Sequence, residues 1–254
     1  MNNKFLLILA VWLLTGPLAA NAELVQSSTS VYLTFRHCVS GETVCDSIAP
    51  VEAGRYGGVP GEPVAIASHA DPTYGEADGR AQLTGAPGAA ELSANATSLP
   101  STRNGSNGII LQRYTNKGAN AETLTFGATL TYKQTIPAEN AGFPADSPAR
   151  SGAYAEILIF SMDADSLEAG TTAEENHTVL SEGPDPSIVT TELEIAGTAP
   201  LSNVTEAGTE TLSSTVTVEP GDSIWLWAIL QSLAANGAEV SATLDTKLES
   251  TKAD

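Results

Sequence analysis

The stretch that decides the fold is residues 218–232, VEPGDSIWLWAILQS, a turn followed by a long apolar run. Successive side chains of a β-strand point to opposite faces, so Trp225 and Trp227 share one face with Ile229. The opposite face is wholly apolar and carries Ile224, Leu226, Ala228 and Leu230, so we expect it to face an opposing sheet. A strand that is apolar on both faces is usually covered on both. The sequence therefore predicts that the tryptophan face is buried, with an exposed aromatic surface for a ligand as the alternative.

Strand-like segments recur along the chain, separated by turns rich in Gly, Pro, Asn and Asp. They comprise residues 31–36, 109–115, 122–134, 153–162, 187–197, 210–218, 223–233 and 239–248. These segments predict an all-β fold, a single antiparallel, jelly-roll-like β-sandwich over residues 23–254. Residues 49–108 are rich in Gly and Ala, and we expect a loop-rich region with one small-residue hairpin within 79–97. This region is also the expected cover of the tryptophan face.

The N-terminus has the three parts of a secretory signal peptide. Lys4 precedes a short apolar run, and Ala20-Asn21-Ala22 fits the small-x-small cleavage rule. The apolar run is too short to span a bilayer as a helix, which takes roughly 20 residues. We therefore predict that residues 1–22 are removed and that the protein is secreted, extracellular after transit through a periplasm.

The chain is strongly acidic, with a formal net charge of −19. Such a charge repels the phosphates of nucleic acids and the headgroups of anionic lipids. The sequence therefore predicts neither nucleic acid nor a membrane as a partner.

The two cysteines, Cys38 and Cys45, are close together in HCVSGETVC. In an exported chain, an even pair around a turn-forming Ser-Gly-Glu most simply forms one disulfide. Zinc needs more ligands than His37 and two thiolates supply. We therefore predict a Cys38–Cys45 disulfide.

The C-terminal part of the chain resembles a known class of secreted protein. Residues 151–170, SGAYAEILIFSMDADSLEAG, and residues 216–248, VTVEPGDSIWLWAILQSLAANGAEVSATLDTKL, are similar to bacterial PEP-CTERM proteins, which accompany exosortase-type sorting. The shared pattern is a closing hairpin of strand, Pro-Gly-Asp, aromatic strand, Ala-Asn-Gly-Ala and strand. This chain departs from it after Leu248, where the sorting tail is missing. The resemblance implies an extracellular protein of the exopolysaccharide or biofilm-matrix setting, without catalytic activity.

Catalytic motifs are missing from the sequence. There is no Gly-x-Ser-x-Gly elbow, no His-Glu-x-x-His pair and no phosphate-binding glycine loop, and the three histidines are scattered. The sequence therefore predicts a non-enzyme with no catalytic residues.

An acidic loop is the candidate metal site. Asp163, Asp165 and Glu168 follow a predicted strand and supply the hard oxygen ligands that suit Ca²⁺. A calcium site normally takes six to eight oxygens, so a solvated loop without a cofactor is the favoured alternative.

Two functions agree with these observations. The first is a structural or self-associating matrix protein, in which the N-terminal strand adds to a neighbouring subunit's sheet. The alternative is an ordinary first strand in its own sheet. The second function is a carbohydrate-binding β-sandwich module for an exopolysaccharide, with Trp225, Trp227 and Tyr154 as the ligand-binding residues.

Overall fold

The computed structural model describes residues 22–37, 46–51, 64–72, 75–84, 88–100, 102–138, 149–160, 189–198 and 203–252. Within these ranges every regular element is a β-strand. The strands are β1 (Ala22–His37), β2 (Asp46–Val51), β3 (Val64–Asp71), β4 (Gly75–Leu83), β5 (Ala90–Ser98), β6 (Thr102–Thr115), β7 (Glu122–Ile136), β8 (Arg150–Phe160), β9 (Val189–Thr198), β10 (Val204–Val218), β11 (Ser223–Ala235) and β12 (Glu239–Lys252). The all-β prediction is confirmed.

The strands form two six-stranded sheets in which every pairing is antiparallel. Sheet A has the order β2-β1-β6-β11-β8-β9, and sheet B has the order β10-β7-β12-β5-β4-β3. The last eight strands occupy four adjacent positions in each sheet, β6-β11-β8-β9 in sheet A and β5-β12-β7-β10 in sheet B. This is the strand order of a jelly roll. The predicted jelly-roll-like sandwich is confirmed, with two further strands on one side of each sheet.

The Gly/Ala-rich region is more ordered than the sequence predicts. The small-residue hairpin forms, since β4 pairs with β5 from Gly75↔Ser98 to Leu83↔Ala90. However, β2, β3 and the first half of β6 are strands where we expected loop. In β4 and β5 alternate positions are filled by buried alanines such as Ala77, Ala81 and Ala94. Alanine carries little hydrophobic signal, which is why the period-two pattern is weak in the sequence.

The main core lies between the two sheets. Its members from β11 are Ile224, Leu226, Ala228, Leu230 and Ala234, all at most 3% exposed. This is the face that the sequence assigned to the opposing sheet, and the assignment is confirmed. β11 is a central strand of sheet A, between β6 and β8, so its registers fix which side chains share each face of that sheet.

Two predicted turns flank β11. Asp222 donates its backbone N–H to the carbonyl of Glu219 at 3.1 Å, and Gly221 has a φ of 88° at the third position. Asn236 and Gly237 have φ values of 56° and 83°, as a type I′ turn requires. Turns at both places were predicted and are present.

The closing hairpin implied by the resemblance does not form, because β11 and β12 lie in different sheets. Instead, backbone groups of the 236–238 turn form hydrogen bonds with residues at the connection between β5 and β6. Asn236 donates its N–H to the carbonyl of Thr102 at 2.9 Å, and Ala238 accepts from the N–H of Ser98 at 3.0 Å. The turn therefore carries the chain from one sheet to the other.

The N-terminal strand pairs within its own chain. β1 follows β6 from Ala22↔Tyr114 to Phe35↔Thr102, with one irregularity between Leu24 and Gln26. On its other side, the last part of β1 pairs with β2, from Leu33↔Val51 to His37↔Asp46. This arrangement is the ordinary first strand that the sequence analysis weighed against addition to a neighbouring subunit.

Candidate functional site

The outer face of sheet A, which points away from sheet B, carries the two tryptophans. They belong to a cluster that is separate from the main core, the aromatic cluster of Ile109, Leu111, Leu158, Trp225, Trp227 and Ile229. The registers explain its composition, since Trp227 is directly opposite Leu111 on β6 and Leu158 on β8. Neighbouring side chains on a face of a sheet are close enough to pack together. The cluster therefore occupies the β10–β11 turn end of this face.

Both tryptophan rings are buried, with 2% of each residue exposed. The guanidinium carbon of Arg113 lies over the ring of Trp225 at 6.0 Å from its centroid, a cation–π contact. Stacking on a sugar needs an exposed ring face, and neither ring presents one. The expected burial agrees with the structure, whereas the assignment of Trp225 and Trp227 as a ligand-binding surface does not.

We expected residues 49–108 to cover these rings. For the part of that region that forms β3, β4 and β5, this prediction is wrong. These strands belong to sheet B and pack against the other face of sheet A. Their small side chains fit the interior of the sandwich, where β4 and β6 approach closely. The Cβ of an alanine at position 108 would lie 2.7 Å from the carbonyl oxygen of Arg80.

A groove continues the same outer face toward the β11–β12 turn. Its volume is about 480 Å³. The described lining residues that alternation places on the outer face are Arg103, Asn107, Arg150, Gly152, Tyr154, Gln231 and Leu233. Ser106, Ser151, Ala153 and Ser232 also line it, but each is at most 3% exposed and belongs to the inner face. Ile195 and Gly197 of β9, the register partners of Ala153 and Ser151, complete the lining. The groove is therefore a depression whose floor includes the backbone of β6, β11 and β8 and which extends to β9.

Three rows of side chains shape this groove. Gln231 is flanked by Asn107 and Tyr154 in the row nearest the aromatic cluster. Leu233 and Gly152 follow in the middle row, where the missing glycine side chain leaves space. Ala235 comes last, and its partners on the two neighbouring strands are both arginines, Arg103 and Arg150. The groove thus has a polar row at each end and a small, apolar floor between them.

Tyr154 connects the groove to the aromatic cluster. It is partly buried and packs against the cluster while its residue also lines the groove. Of the three predicted ligand-binding residues, the structure therefore places Tyr154 at a concave surface and the two tryptophans beside it in buried positions.

Sequence reasoning missed the polar residues of the groove. Gln231 is four residues after Trp227, and Arg150 is four residues before Tyr154. Period-two alternation alone places each pair on one face of its strand. What the sequence does not show is that β6, β11 and β8 are neighbours, which brings Arg103 and Arg150 into one row.

The predicted metal ligands Asp163, Asp165 and Glu168 lie outside the described residues, so the calcium site stays a prediction. Among the residues that the structure does describe, no group of three or more His, Cys, Asp or Glu side chains converges to hold a metal ion. In the same ranges there is no helix with the length and apolar character needed to cross a membrane.

The predicted signal peptide and the two cysteines also fall outside the described residues, apart from Ala22. The nearest described residues are His37 and Asp46, which are register partners at the end of the β1–β2 pair. In the sequence, Cys38 follows the first of these residues and Cys45 precedes the second. The Cys38–Cys45 disulfide stays a prediction.

We expect protein exported from a bacterial host to begin at Glu23 and to contain one disulfide. Intact-mass analysis should show loss of residues 1–22 and a gain of about two daltons on reduction, because each disulfide removes two hydrogens. A titre of two free thiols per unfolded chain would contradict the disulfide. An intact N-terminus on the exported protein would contradict the cleavage.

By sequence, the chain matches no protein-family model and no curated protein. Among solved structures, it is similar to the one reported as "CBM4 structure and function", with 8% identity, a TM-score of 0.24 and coverage of 63% of this chain and 71% of that one. TmCBM61 in complex with beta-1,4-galactotriose has 12% identity, a TM-score of 0.24 and the same two coverages. The enzymatically active domain of bacteriophage CBA120 tailspike protein 4 has 9% identity and a TM-score of 0.17, with 91% of this chain and 20% of that chain covered. At these scores we base the fold on the strand order alone.

Proposed function

We propose that the protein is a secreted, non-enzymatic carbohydrate-binding module of an extracellular polysaccharide matrix, and that it holds a saccharide in the groove of sheet A. The observation that carries the proposal is the convergence of Tyr154, Asn107 and Gln231 with two arginines around one concave surface. Secretion is part of the proposal and depends on the predicted signal peptide.

The chemistry of the lining supports a polyhydroxylated ligand. Side-chain amides such as those of Asn107 and Gln231 carry both donors and acceptors, as sugar hydroxyls do. Tyr154 adds an apolar ring with a polar tip. The volume of about 480 Å³ is within the range of small-ligand pockets, roughly 300–1,000 Å³, which usually combine an apolar floor with a few polar groups.

Self-association by strand addition has less support. β1, the strand proposed for exchange, pairs with β6 of its own chain from Ala22 to Phe35, and its last part also pairs with β2. β10 forms an edge of sheet B, and its first half carries Glu206 and Glu210. Charged residues on an edge strand oppose pairing with another chain.

We expect the full chain to bind a subset of polysaccharides on a glycan array, and Gln231→Ala to weaken that binding roughly three- to tenfold, the effect of losing one or two hydrogen bonds. Gln231 is exposed, so the melting temperature should be unchanged. Titration calorimetry on the best array ligand measures the change. Thr209→Ala, an exposed position on sheet B, is the control and should bind normally. No binding to any neutral or acidic glycan would contradict the proposed function.

A further inference from the structure

The last row of the groove concentrates positive charge in an acidic protein. The registers and contacts of the described strands place Arg103, Arg113 and Arg150 on the outer face of sheet A. Two of these three line the groove, and the described lining includes no Asp or Glu. By register, Glu156, Glu192 and Glu194 also belong to this face, so the positive charge is confined to the arginine row at the end of the groove.

The geometry of the row fits one anionic group between two arginines. Arg103 and Arg150 are both register partners of Ala235, one on each side. Neighbouring strands are about 4.8 Å apart, so the two arginine Cα atoms are separated by about 10 Å. Ala235 places only a methyl group between them. Two long guanidinium side chains on one face therefore have room to approach the same anion above that methyl group.

Arg150 has the freedom that this role requires. It is exposed, and within the described residues no ion pair or hydrogen bond of its side chain is found. Arg103 is half-buried on the opposite wall. A guanidinium presents a planar fork of N–H donors that matches a carboxylate in a bidentate geometry. Two such forks facing a common space define a binding position for a carboxylate.

The distance between the arginine row and the Gln231 row sets the length of a ligand that can contact both. Gln231 and Ala235 are four residues apart on β11, which corresponds to about 13 Å along a strand. A group held by the arginines and a group held by Gln231 and Asn107 therefore belong to different parts of an extended ligand. A saccharide that carries a carboxylate at one end of this span satisfies both rows.

We propose that the groove selects acidic saccharides, with a uronate carboxylate held over Ala235 between Arg103 and Arg150. The inference rests on the proposed carbohydrate-binding function and names the class of ligand. The arginine row supplies the selectivity, whereas Asn107, Gln231 and Tyr154 contact the hydroxyls and ring of a neighbouring sugar unit.

The test compares polyuronides with their neutral derivatives. Polygalacturonate, alginate and hyaluronan are each immobilised beside a fully methyl-esterified form, and binding of the full chain is measured. At least one free polyuronide should bind tenfold or more tightly than its ester. Arg150→Gln should weaken binding of that polymer roughly 10- to 100-fold, the effect of losing a hydrogen bond to a charged group, and leave the ester unaffected. Arg80→Gln, an exposed position on sheet B, makes the same change of charge and should have no effect.

The outcomes separate this inference from the proposed function. Equal binding of each polymer and its ester, or unchanged binding by Arg150→Gln, overturns the carboxylate site and leaves a carbohydrate-binding module. Arg150→Lys keeps the charge and removes the fork, so binding as tight as that of the native protein would overturn the bidentate geometry. No binding to these polymers or to any neutral glycan overturns both proposals. The melting temperature of each variant reports whether it is folded.

Discussion

Trp227→Ala is expected to lower the free energy of unfolding by about 3–5 kcal/mol, the range for truncation of a buried tryptophan. Trp227 is 2% exposed and lies at the centre of the aromatic cluster, between Leu111 and Leu158. Truncation leaves a large cavity that rigid neighbouring strands cannot fill. Chemical denaturation followed by circular dichroism measures the change.

Trp225→Phe is the matched control for this prediction. The indole nitrogen of Trp225 is buried and has no hydrogen-bond partner within the described residues. Phenylalanine keeps an aromatic ring and removes that unsatisfied donor, so the loss of stability should be smaller than that of Trp227→Ala. A Trp227→Ala protein with native stability but no glycan binding would show instead that the rings are a binding surface.

Gly108→Ala is expected to destabilise the protein by about 1–3 kcal/mol through overpacking. The added methyl group would lie 2.7 Å from the carbonyl oxygen of Arg80, on the facing strand of sheet B. Because that atom belongs to the backbone, it cannot rotate away and the two sheets must separate locally. Thermal and denaturant unfolding measure the loss.

Gly127→Ala provides the comparison. Its methyl group would meet side-chain carbons of Lys247 at 3.5 and 3.7 Å, which is ordinary contact. Alanine also reduces the entropy of the unfolded chain in both variants, a gain of about 0.4–1 kcal/mol where the native backbone accepts it. The control should therefore be neutral or slightly stabilised. Equal stability of the two variants would contradict a close approach of the sheets at Gly108.

The sequence predicts the architecture better than the site. Strand alternation placed Leu226 and Trp227 on opposite faces, because that property is local and follows from strand geometry. The turns at Gly221 and Gly237 were also local signals. The conclusion that the chain folds as a two-sheet sandwich needed only the number of strands and the lack of helical periodicity.

The groove depends on information that is not local. Arg103, Arg150 and Ala235 share a row only because β11 pairs with both β6 and β8. Such pairings are determined by the packing of the whole domain. The strands of residues 64–98 were underestimated for another reason, because Ala94 and Ala96 are buried by their position in the sheet and have little hydrophobicity of their own.

The order of strands in sheet A also controls how the chain reaches its native state. β6 pairs with β1 and β11, and β11 separates β6 from β8, so the sheet has a gap until residues near position 235 are available. Contacts between residues far apart in sequence make folding slow, on the millisecond-to-second scale for β-sandwiches. The two sheets can therefore become complete only after β11 and β12 have been synthesised, and the final step of folding follows synthesis of the last strands.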